Sequence, residues 1–352
     1  MTRLIFLFSS LVFSGFVSAA QAETARPPQF IAIAFDNCTE LERWQEWSDF
    51  AAEMNRDADR VHFTFFVSAV NFIAQLNRDV YQGPRQPRGA ARIGFGGTAD
   101  DVRRRVAYVN ALQAAGHEIA SHAVGHFDGR SWSQGEWDRE FDSFESALAN
   151  VARNNGLDTD VKLSFPVSEV SGFRAPYLAT SGGLYSVLRD RKFRYDTSGN
   201  SAADAWPEKI DGVWRFNLAR LKLASSSRVT LSMDYNFFVA QSGAKADPRR
   251  HAFFRDQILQ TYVDYFRANY SGNRAPLHIG HHFFDYQGGA YKEALKAFVR
   301  SVCGLPEVRC VTYKALADFM DTLNADTLAD YRKGQFARAA EPAVMVTELL
   351  KP

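Results

Sequence analysis

The feature that most constrains the fold is an alternation of strand-like apolar runs with helix-like segments along most of the chain. The first strand-like run is 29–35 (QFIAIAF), and apolar residues at helical spacing follow over 40–54. Such pairs recur about seven times, as far as a helix predicted over 313–323. This order predicts an α/β fold with a parallel sheet, and at this length it favours a single distorted (β/α) barrel of about seven strands.

The first 22 residues have the pattern of a secretory signal peptide. A positive start (Met1-Thr2-Arg3) precedes the apolar run 4–17, and Ala20-Gln21-Ala22 forms a small-residue cleavage site. We therefore expect export, to a periplasm or to the outside of the cell. An uncleaved anchor is the alternative, but the run is short for a spanning helix and no later stretch could span, so we expect no stable membrane insertion.

The remaining chain divides into one domain and a tail. Strand and helix patterns extend over 23–323, which we assign to the barrel domain, whereas hydrophobic periodicity is lost over 324–352, for which we predict an irregular tail. The whole chain has 41 basic and 40 acidic residues; since residues 1–22 contain one basic residue and no acid, 40 of each sign remain. This balance argues against a nucleic-acid partner and suits a neutral substrate. The sequence leaves the oligomeric state open.

The three cysteines have different expected roles. Cys303 and Cys310 lie close together near the end of the domain, and in an exported protein we predict a disulfide between a helix end and the next strand. Cys38 is then unpaired. It directly follows Asp36 and Asn37, which are discussed below.

Two histidines four residues apart, His122 and His126, follow a short strand predicted over 117–121. Imidazole is the commonest protein ligand for zinc-like cations, and this spacing lets two rings reach one ion. The spacing alone is a weak signal, because a chain with eight histidines contains such pairs by chance. It gains weight from other polar residues at predicted strand ends, which meet at one rim of a barrel. These are Asp36, Asn37, Arg174, Pro176, Tyr177, His281 and His282.

Four motifs occur here in the order found in one known family. They are Phe35-Asp36-Asn37-Cys38, the pair His122 and His126, Arg174-Ala175-Pro176-Tyr177, and the run 277–282 (LHIGHH). In these motifs, and over about 30–323, the chain resembles the polysaccharide deacetylases of carbohydrate esterase family four. The resemblance implies a barrel of the polysaccharide-deacetylase type. It also implies hydrolysis of N-acetyl groups on an N-acetylhexosamine polysaccharide such as chitin, peptidoglycan or an exopolysaccharide.

The resemblance also implies a role for each motif residue. Asp36 would be the general base, and His122, His126 and the residue at position 37 would bind a divalent metal, zinc in the first place. Arg174 would orient the base, and the backbone N–H of Tyr177 would bind the oxyanion. His282 would protonate the leaving amine, with His281 as the alternative, since strand alternation turns only one of them towards the site.

Position 37 departs from the family pattern, which has aspartate there. The amide of Asn37 can coordinate a cation but brings no charge, whereas carboxylate is the usual oxygen ligand of zinc. Either Asp36 itself approaches the metal, or the site holds metal poorly and the protein is catalytically weak or inactive. The Cys38 thiolate is a further possible ligand, although a buried, inert thiol is the more ordinary state of a free cysteine.

These observations leave three functions open. The first is the metal-dependent N-deacetylase. The second is a non-catalytic carbohydrate-binding protein on the same fold, and the third is an O-acetyl carbohydrate esterase. We expect substrate contacts from the loops 77–100 and 127–135, with Trp132 and Trp137 as candidates for stacking on a sugar, and we also regard Asp234 and Asn236 as candidates for the cleft.

Overall fold

A computed structural model describes residues 24–337. The predicted signal peptide over 1–22 and the last part of the predicted tail, 338–352, lie outside these residues. In the described part, no helix is both long and apolar enough to traverse a lipid bilayer.

Within residues 24–337, twelve strands form two sheets, and nine of the strands belong to the larger sheet. The strands are β1 (Gln29–Asp36), β2 (Thr64–Val67), β3 (Glu118–Ser121), β4 (Gly172–Phe173), β5 (Tyr195–Asp196), β6 (Asn200–Ala202), β7 (Glu208–Ile210), β8 (Val213–Arg215), β9 (Leu218–Lys222), β10 (Val229–Leu231), β11 (Leu277–His282) and β12 (Val308–Val311). The larger sheet has the order β11-β1-β2-β3-β4-β5-β8-β7, and β12 pairs with β1. Every pairing is parallel except that of the edge strand β7.

The larger sheet curls into part of a barrel, as the alternation predicted. The smaller sheet, of order β10-β9-β6, lies beside β11 through a bridge between Met233 and Gly280. The Ser232 backbone accepts a hydrogen bond from the Gly280 N–H at 2.8 Å, and the Ser232 hydroxyl donates to the His278 carbonyl at 2.5 Å. The barrel is therefore distorted, because this small sheet continues it beyond β11.

In the described part of the chain, ten α-helices pack around the sheets. They are α1 (Leu41–Met54), α2 (Ala99–Ala114), α3 (Gln134–Ala149), α4 (Val151–Asn155), α5 (Gly182–Asp190), α6 (Asp234–Ser242), α7 (His251–Ser271), α8 (Ala290–Val302), α9 (Tyr313–Asp321) and α10 (Ala325–Lys333). The prediction of an irregular tail from residue 324 is wrong over α10. The Asn324 side chain caps this helix by accepting from the Thr327 N–H at 2.8 Å, and Tyr331 packs on Trp206. The periodicity is weak because Tyr331 is the buried residue of this helix.

Alternation along β1 separates two cores. Ile31, Ile33 and Phe35 face the outer helices, where Phe35 packs against Trp47. Ala32 and Ala34 face the inside of the barrel, together with aromatic side chains from other strands. Because these two residues are small, the interior has room for a long side chain beside Asp36, the last residue of the strand.

The predicted disulfide between Cys303 and Cys310 is present. It joins the end of α8 to β12, the helix end and the strand that the sequence indicated. Since β12 pairs with residues 29–32 of β1, the disulfide lies at the end of the barrel opposite to Asp36.

Candidate active site

The carboxyl ends of β1, β3, β4 and β11 surround a cavity of about 360 Å³. Six of the seven residues predicted for the site line it, and the seventh, Arg174, lies buried behind Asp36. The six are Asp36, Asn37, His122, His126, Tyr177 and His282; the other lining residues are Ala175, Leu178, Met233, Tyr235, Asn236 and Tyr286. The parallel sheet brings these positions together because its strands all end at the same rim.

Asp36 and Arg174 form a fully buried ion pair at the floor of the cavity. The Arg174 Nη1 donates to Asp36 Oδ1 at 2.7 Å, and the Nε donates to the Thr197 hydroxyl at 2.7 Å. The guanidinium also lies 4.4 Å from the centre of the Phe66 ring. Burial lowers the pKa of Arg174, but the nearby Asp36 carboxylate outweighs burial and leaves the pKa of Arg174 raised, so the guanidinium stays charged beside Asp36.

His122 is held by the neighbouring strand. Its backbone N–H donates to the Val67 carbonyl at 2.9 Å, which extends the ladder between β2 and β3. Its ring Nδ1 lies 2.8 Å from the Arg174 carbonyl oxygen. A carbonyl accepts only from an N–H, so Nδ1 carries the proton and Nε2 retains the lone pair that a metal needs.

The loop that carries His126 is held by a buried acid on α3. The Glu140 carboxylate accepts from the Val124 N–H at 3.0 Å, from the Gly125 N–H at 3.3 Å and from the Tyr81 hydroxyl. The rings of His122 and His126 are 5.0 Å apart between centroids. The sequence analysis did not single out Glu140. Its helical spacing relative to Trp137, Phe141 and Phe144 places it on the buried face of α3, and this could have identified it.

Both histidines of this pair are neutral. Burial lowers the pKa of His122, and burial together with the two nearby imidazoles of His122 and His282 lowers the pKa of His126 to about 3. Neutral imidazole is the form that binds a cation, so burial keeps both rings available as ligands at ordinary pH.

Two buried polar atoms at the cavity have no hydrogen-bond partner among the described residues: Asn37 Oδ1 and His126 Nδ1. An orphaned amide oxygen near two neutral imidazoles suits a cation, which would satisfy it without needing a hydrogen-bond donor. Within residues 24–337, however, no group of three or more His, Cys, Asp or Glu side chains has metal-binding geometry. The donors present are thus two imidazoles and an amide, with the Asp36 carboxylate in the same cavity.

His282 lies across the cavity and is paired with a carboxylate. Its Nδ1 lies 2.6 Å from Asp234 Oδ1, and its backbone N–H donates to Asp234 Oδ2 at 2.8 Å. Burial lowers the pKa of His282, but the Asp234 charge and hydrogen bond outweigh burial and raise it overall. Asp234 was expected to line the cleft; it instead lies behind His282 at the start of α6, while Asn236 lines the cavity.

His281, the alternative to His282, faces the opposite side of β11. Its Nε2 lies 2.9 Å from the Tyr262 hydroxyl on α7, and its side chain is buried in the outer core. Strand alternation therefore selects His282 as the residue that reaches the cavity.

Four residues that line the cavity have left-handed backbone conformations. Asn37, His126 and Tyr177 have positive φ values of 50°, 55° and 57° although none is glycine, and Leu178 follows with 53°. Such conformations cost roughly 1–3 kcal/mol each and persist where the surroundings enforce them, often at functional sites. Here they turn successive side chains towards one cavity.

The loops and the tryptophans that were expected to contact substrate do not line the cavity. Neither predicted contact loop, 77–100 or 127–135, lines the described cavity. Trp132 and Trp137 pack on each other in the core, where Trp137 Nε1 donates to the Ser181 hydroxyl, so neither is free to stack on a sugar. Cys38 is buried, as expected for a free cysteine, with Sγ towards the Phe35 carbonyl. Burial raises the pKa of its thiol well above the ordinary value, which argues against the alternative of a thiolate ligand.

The fold is shared with solved structures at low sequence identity. A presumed polysaccharide deacetylase from Mycobacterium smegmatis aligns over 88% of this chain and 94% of its own, with a TM-score of 0.50 and 15% identity. A CE4 domain of a multidomain xylanase from the hindgut metagenome of Trinervitermes trinervoides aligns over 84% and 93%, with a TM-score of 0.42 and 15% identity. A CE4 family pseudoenzyme from Bacillus anthracis aligns over 83% and 66%, with a TM-score of 0.41 and 9% identity. No protein-family model and no curated protein sequence matches the chain.

Proposed function

Since the chain has the fold of the polysaccharide deacetylases, we propose that it is a secreted, metal-dependent hydrolase that removes N-acetyl groups from an N-acetylhexosamine polysaccharide. One observation carries the proposal. A single cavity holds an arginine-paired carboxylate, Asp36, opposite a carboxylate-paired histidine, His282, with two neutral histidines beside them. This combination supplies a base, an acid and cation ligands for one reaction.

The metal would be held by His122, His126 and Asn37. The unsatisfied Asn37 Oδ1 and the neutral imidazoles fit this task, although the set brings no charge of its own. A divalent ion bound there would lower the pKa of a water molecule and polarise the acetyl carbonyl. We expect zinc, because imidazole-rich sites suit it.

The residues at the floor of the cavity prepare the attacking water. Asp36, hydrogen-bonded by Arg174, accepts the proton of the water as it attacks the carbonyl carbon. Because Arg174 is also bonded to Thr197, the carboxylate has a fixed orientation. The backbone N–H of Tyr177 donates to the oxygen on which negative charge develops.

His282 completes the reaction on the opposite side. Asp234 raises its pKa, so the imidazolium form is available to give a proton to the departing nitrogen. The carboxylate also fixes the ring, since it binds both the side chain and the backbone N–H of His282. An amide is a poor leaving group until its nitrogen is protonated, which makes this step necessary.

A second candidate function is favoured by Asn37. An uncharged third ligand weakens the hold on a divalent ion, and no three-residue metal cluster exists within residues 24–337. The protein would then be a carbohydrate-binding protein on the same fold, with polysaccharide binding that a chelator does not change.

Metal content and acetate release distinguish the two candidates. We expect the purified protein, after incubation with zinc and gel filtration, to retain about one zinc per chain by mass spectrometry. We also expect it to release acetate from glycol chitin or N-acetylglucosamine oligomers. Retention of no zinc together with no acetate release would exclude the hydrolase, and glycol chitin binding that a chelator does not change would then support the binding protein.

The variant Asn37→Asp tests whether the uncharged side chain of Asn37 weakens zinc binding. It restores a charged ligand, so we expect zinc to bind at least about tenfold more tightly than in the wild type. Asn236→Asp, which adds the same charge elsewhere on the cavity wall, is the matched control. An equal gain in zinc affinity from both variants would mean that Asn37 is not a ligand.

A further inference from the structure

We propose that the protein also binds peripherally to anionic lipid surfaces, through an exposed loop that presents apolar and basic side chains. The loop is the segment 75–92, which begins with the 3₁₀ helix Gln75–Val80; we call it the docking loop. The sequence analysis expected this region to contact substrate, but it does not line the cavity. The proposal concerns a second surface and does not depend on the proposed hydrolase activity.

The docking loop has two strongly exposed apolar side chains. Leu76 is 96% exposed and Val80 is 52% exposed, and no residue of the helix Gln75–Val80 is buried. Leu76 is the most exposed large hydrophobic residue in the described part of the chain. Single exposed apolar residues are common, but neighbouring ones rimmed by polar residues mark contact surfaces. The pair therefore suits a partner that offers an apolar layer.

The exposure of Leu76 is fixed by anchors on both sides of the helix. Before it, the backbone N–H of the buried residue Ala74 donates to the Asn155 side chain at 2.6 Å. After it, Tyr81 is buried and its hydroxyl donates to the Glu140 carboxylate. Because the loop is already ordered, it loses little conformational entropy when it meets a surface.

The docking loop is also basic. It contains four exposed arginines and one acid, which are Arg78, Arg85, Arg88, Arg92 and Asp79. The formal charge of the loop is therefore +3, although the whole chain is nearly balanced. Asp79 lies 4.0 Å from Arg78, and Glu136 on α3 pairs with Arg85. Arg88 donates to a backbone carbonyl and Arg92 lies over the Phe127 ring; neither forms an ion pair within residues 24–337, so both charges are available to an anionic partner.

A basic side chain lies against the helix that exposes the leucine. The Arg88 guanidinium donates to the backbone carbonyl of Asp79 at 3.0 Å, and Asp79 belongs to the same helix as Leu76. The next residue holds this turn in place, because the Gly89 N–H donates to the Tyr81 carbonyl at 2.8 Å. Apolar and cationic groups thus share one surface.

An anionic lipid surface fits this combination better than an acidic polysaccharide does. Lipid headgroups supply phosphate charges for the arginines, and the acyl chains beneath them accept an apolar side chain. One leucine or a few cations alone would bind weakly, whereas the two signals together give reversible peripheral binding. An acidic polysaccharide would pair with the arginines but would offer Leu76 no apolar layer.

The docking loop ends beside the cavity. The Arg92 N–H donates to the Gly125 carbonyl at 2.8 Å, and Gly125 directly precedes His126. Binding through the loop would thus hold the cavity near the lipid surface, whichever reaction it performs.

Co-sedimentation of the full chain with vesicles tests the proposal. The vesicles contain phosphatidylglycerol and phosphatidylcholine in equal amounts, or phosphatidylcholine alone, in about 0.1 M and about 0.5 M salt. We expect at least about tenfold tighter binding to the anionic vesicles at the lower salt, and loss of most of this difference at the higher salt. Equal binding to both kinds of vesicle, or binding to neither, would overturn the proposal.

Substitutions assign the binding to the docking loop. We expect Leu76→Ser to weaken binding to the anionic vesicles at least about tenfold, and Arg88→Gln about fivefold, the factor for one cation near the surface. Val229→Ser, 62% exposed on β10, and Arg309→Gln, exposed on β12, are the matched controls and should bind as the wild type does. All variants have the same termini, so a difference between them reports this surface and not the apolar run 4–17.

The variants also separate lipid from other anionic partners. Weaker binding of Arg88→Gln together with unchanged binding of Leu76→Ser would indicate a purely electrostatic surface and would contradict lipid docking. Tighter binding to alginate, an acidic polysaccharide, than to the anionic vesicles would contradict it as well. Vesicle binding by both variants that matches their controls would mean that the docking loop is not the contact.

Discussion

The cavity has two walls that carry histidines, and the surroundings of those histidines differ. One wall, from the loops after β3 and β4, holds His122 and His126 in an apolar setting without a carboxylate partner. The other, from the end of β11 and the start of α6, holds His282 against Asp234. Burial lowers the pKa of His126 to about 3, whereas the Asp234 charge overcomes burial at His282 and raises its pKa.

This difference shows how one residue type can take two tasks within one cavity. A histidine that stays neutral is a ligand, and a histidine that stays protonated is an acid. Asp234, whose carboxylate raises the pKa of His282, does not itself line the cavity. The division of tasks therefore depends on the residues behind the walls.

The largest expected effect comes from removing one histidine from each wall. We expect His122→Ala to lose bound zinc and His282→Ala to keep it, while acetate release falls at least about hundredfold in both. Mass spectrometry for zinc and an acetate assay on N-acetylglucosamine oligomers measure the two properties. His251→Ala, on the surface at the start of α7, is the control. We call the wall with His122 and His126 the ligand wall and the wall with His282 the acid wall. Loss of zinc in both variants would mean that the two walls do not have separate roles.

A smaller effect is expected from Asp234→Asn, which removes the charge behind His282. Acid catalysis needs protonated His282, so activity declines as pH rises through the pKa of this group. Without the Asp234 charge this pKa falls, and the alkaline limb of the kcat profile moves to lower pH, with kcat at pH 7.5 reduced about tenfold.

Zinc content distinguishes a lower pKa of His282 from damage to the wall that holds His122 and His126. We expect Asp234→Asn to bind as much zinc as the wild type. A kcat profile that only scales down, with its alkaline limb unmoved, would mean that Asp234 positions His282 without setting its charge.

The two walls also differ in how far the sequence predicts them. The residues of the ligand wall follow directly from strand ends: His122 comes one residue after β3, and Arg174 one residue after β4. The apolar strands that precede these residues can be recognised in the sequence. Because the strands are parallel, their carboxyl ends meet at one rim and bring the residues together. Asp36, Asn37 and Tyr177 were predicted for the same reason, and the structure places all of them at the cavity or next to it.

The acid wall was predicted only in part. His282 ends an apolar strand, but Asp234 belongs to the short helix α6, which the sequence pattern did not predict because its hydrophobic residues lack a clear helical period. The aromatic residues Tyr235, Phe284 and Tyr286 have no pattern that distinguishes an exposed ring from a core ring. Tertiary packing decides which rings are exposed. Trp132 and Trp137 show the opposite case, because they were candidates for stacking on a sugar but are buried.

The ligand wall depends on Glu140 in the way that the acid wall depends on Asp234. In Glu140→Gln, an amide N–H₂ replaces one acceptor oxygen, and the loop at 124–125 loses part of its support. We expect the free energy of unfolding in urea to fall by about 1–3 kcal/mol. Glu145→Gln, exposed on the same helix, should change it by less than about 0.5 kcal/mol.

Zinc affinity should weaken in Glu140→Gln and not in Glu145→Gln, because His126 follows the supported loop directly. Unchanged zinc binding in a destabilised Glu140→Gln protein would mean that the ligand wall keeps its geometry without this acid.

The smallest expected effect concerns His278, which shares a strand face with His282 but has no carboxylate partner. It packs against Phe216 and Tyr313 inside the barrel, and burial lowers its pKa to about 3. The unfolded chain, with a histidine pKa near 6.5, binds this proton first as pH falls, so His278 reduces stability below that pH. Between pH 7.5 and 5.5 its share of the loss is about 1.3 kcal/mol. His278→Phe fills the same space without titrating, so urea unfolding should show a pH dependence shallower by that amount. Parallel curves for the two proteins would mean that His278 is not kept neutral by burial, and that Asp234 is not what separates the two histidines on this face of β11.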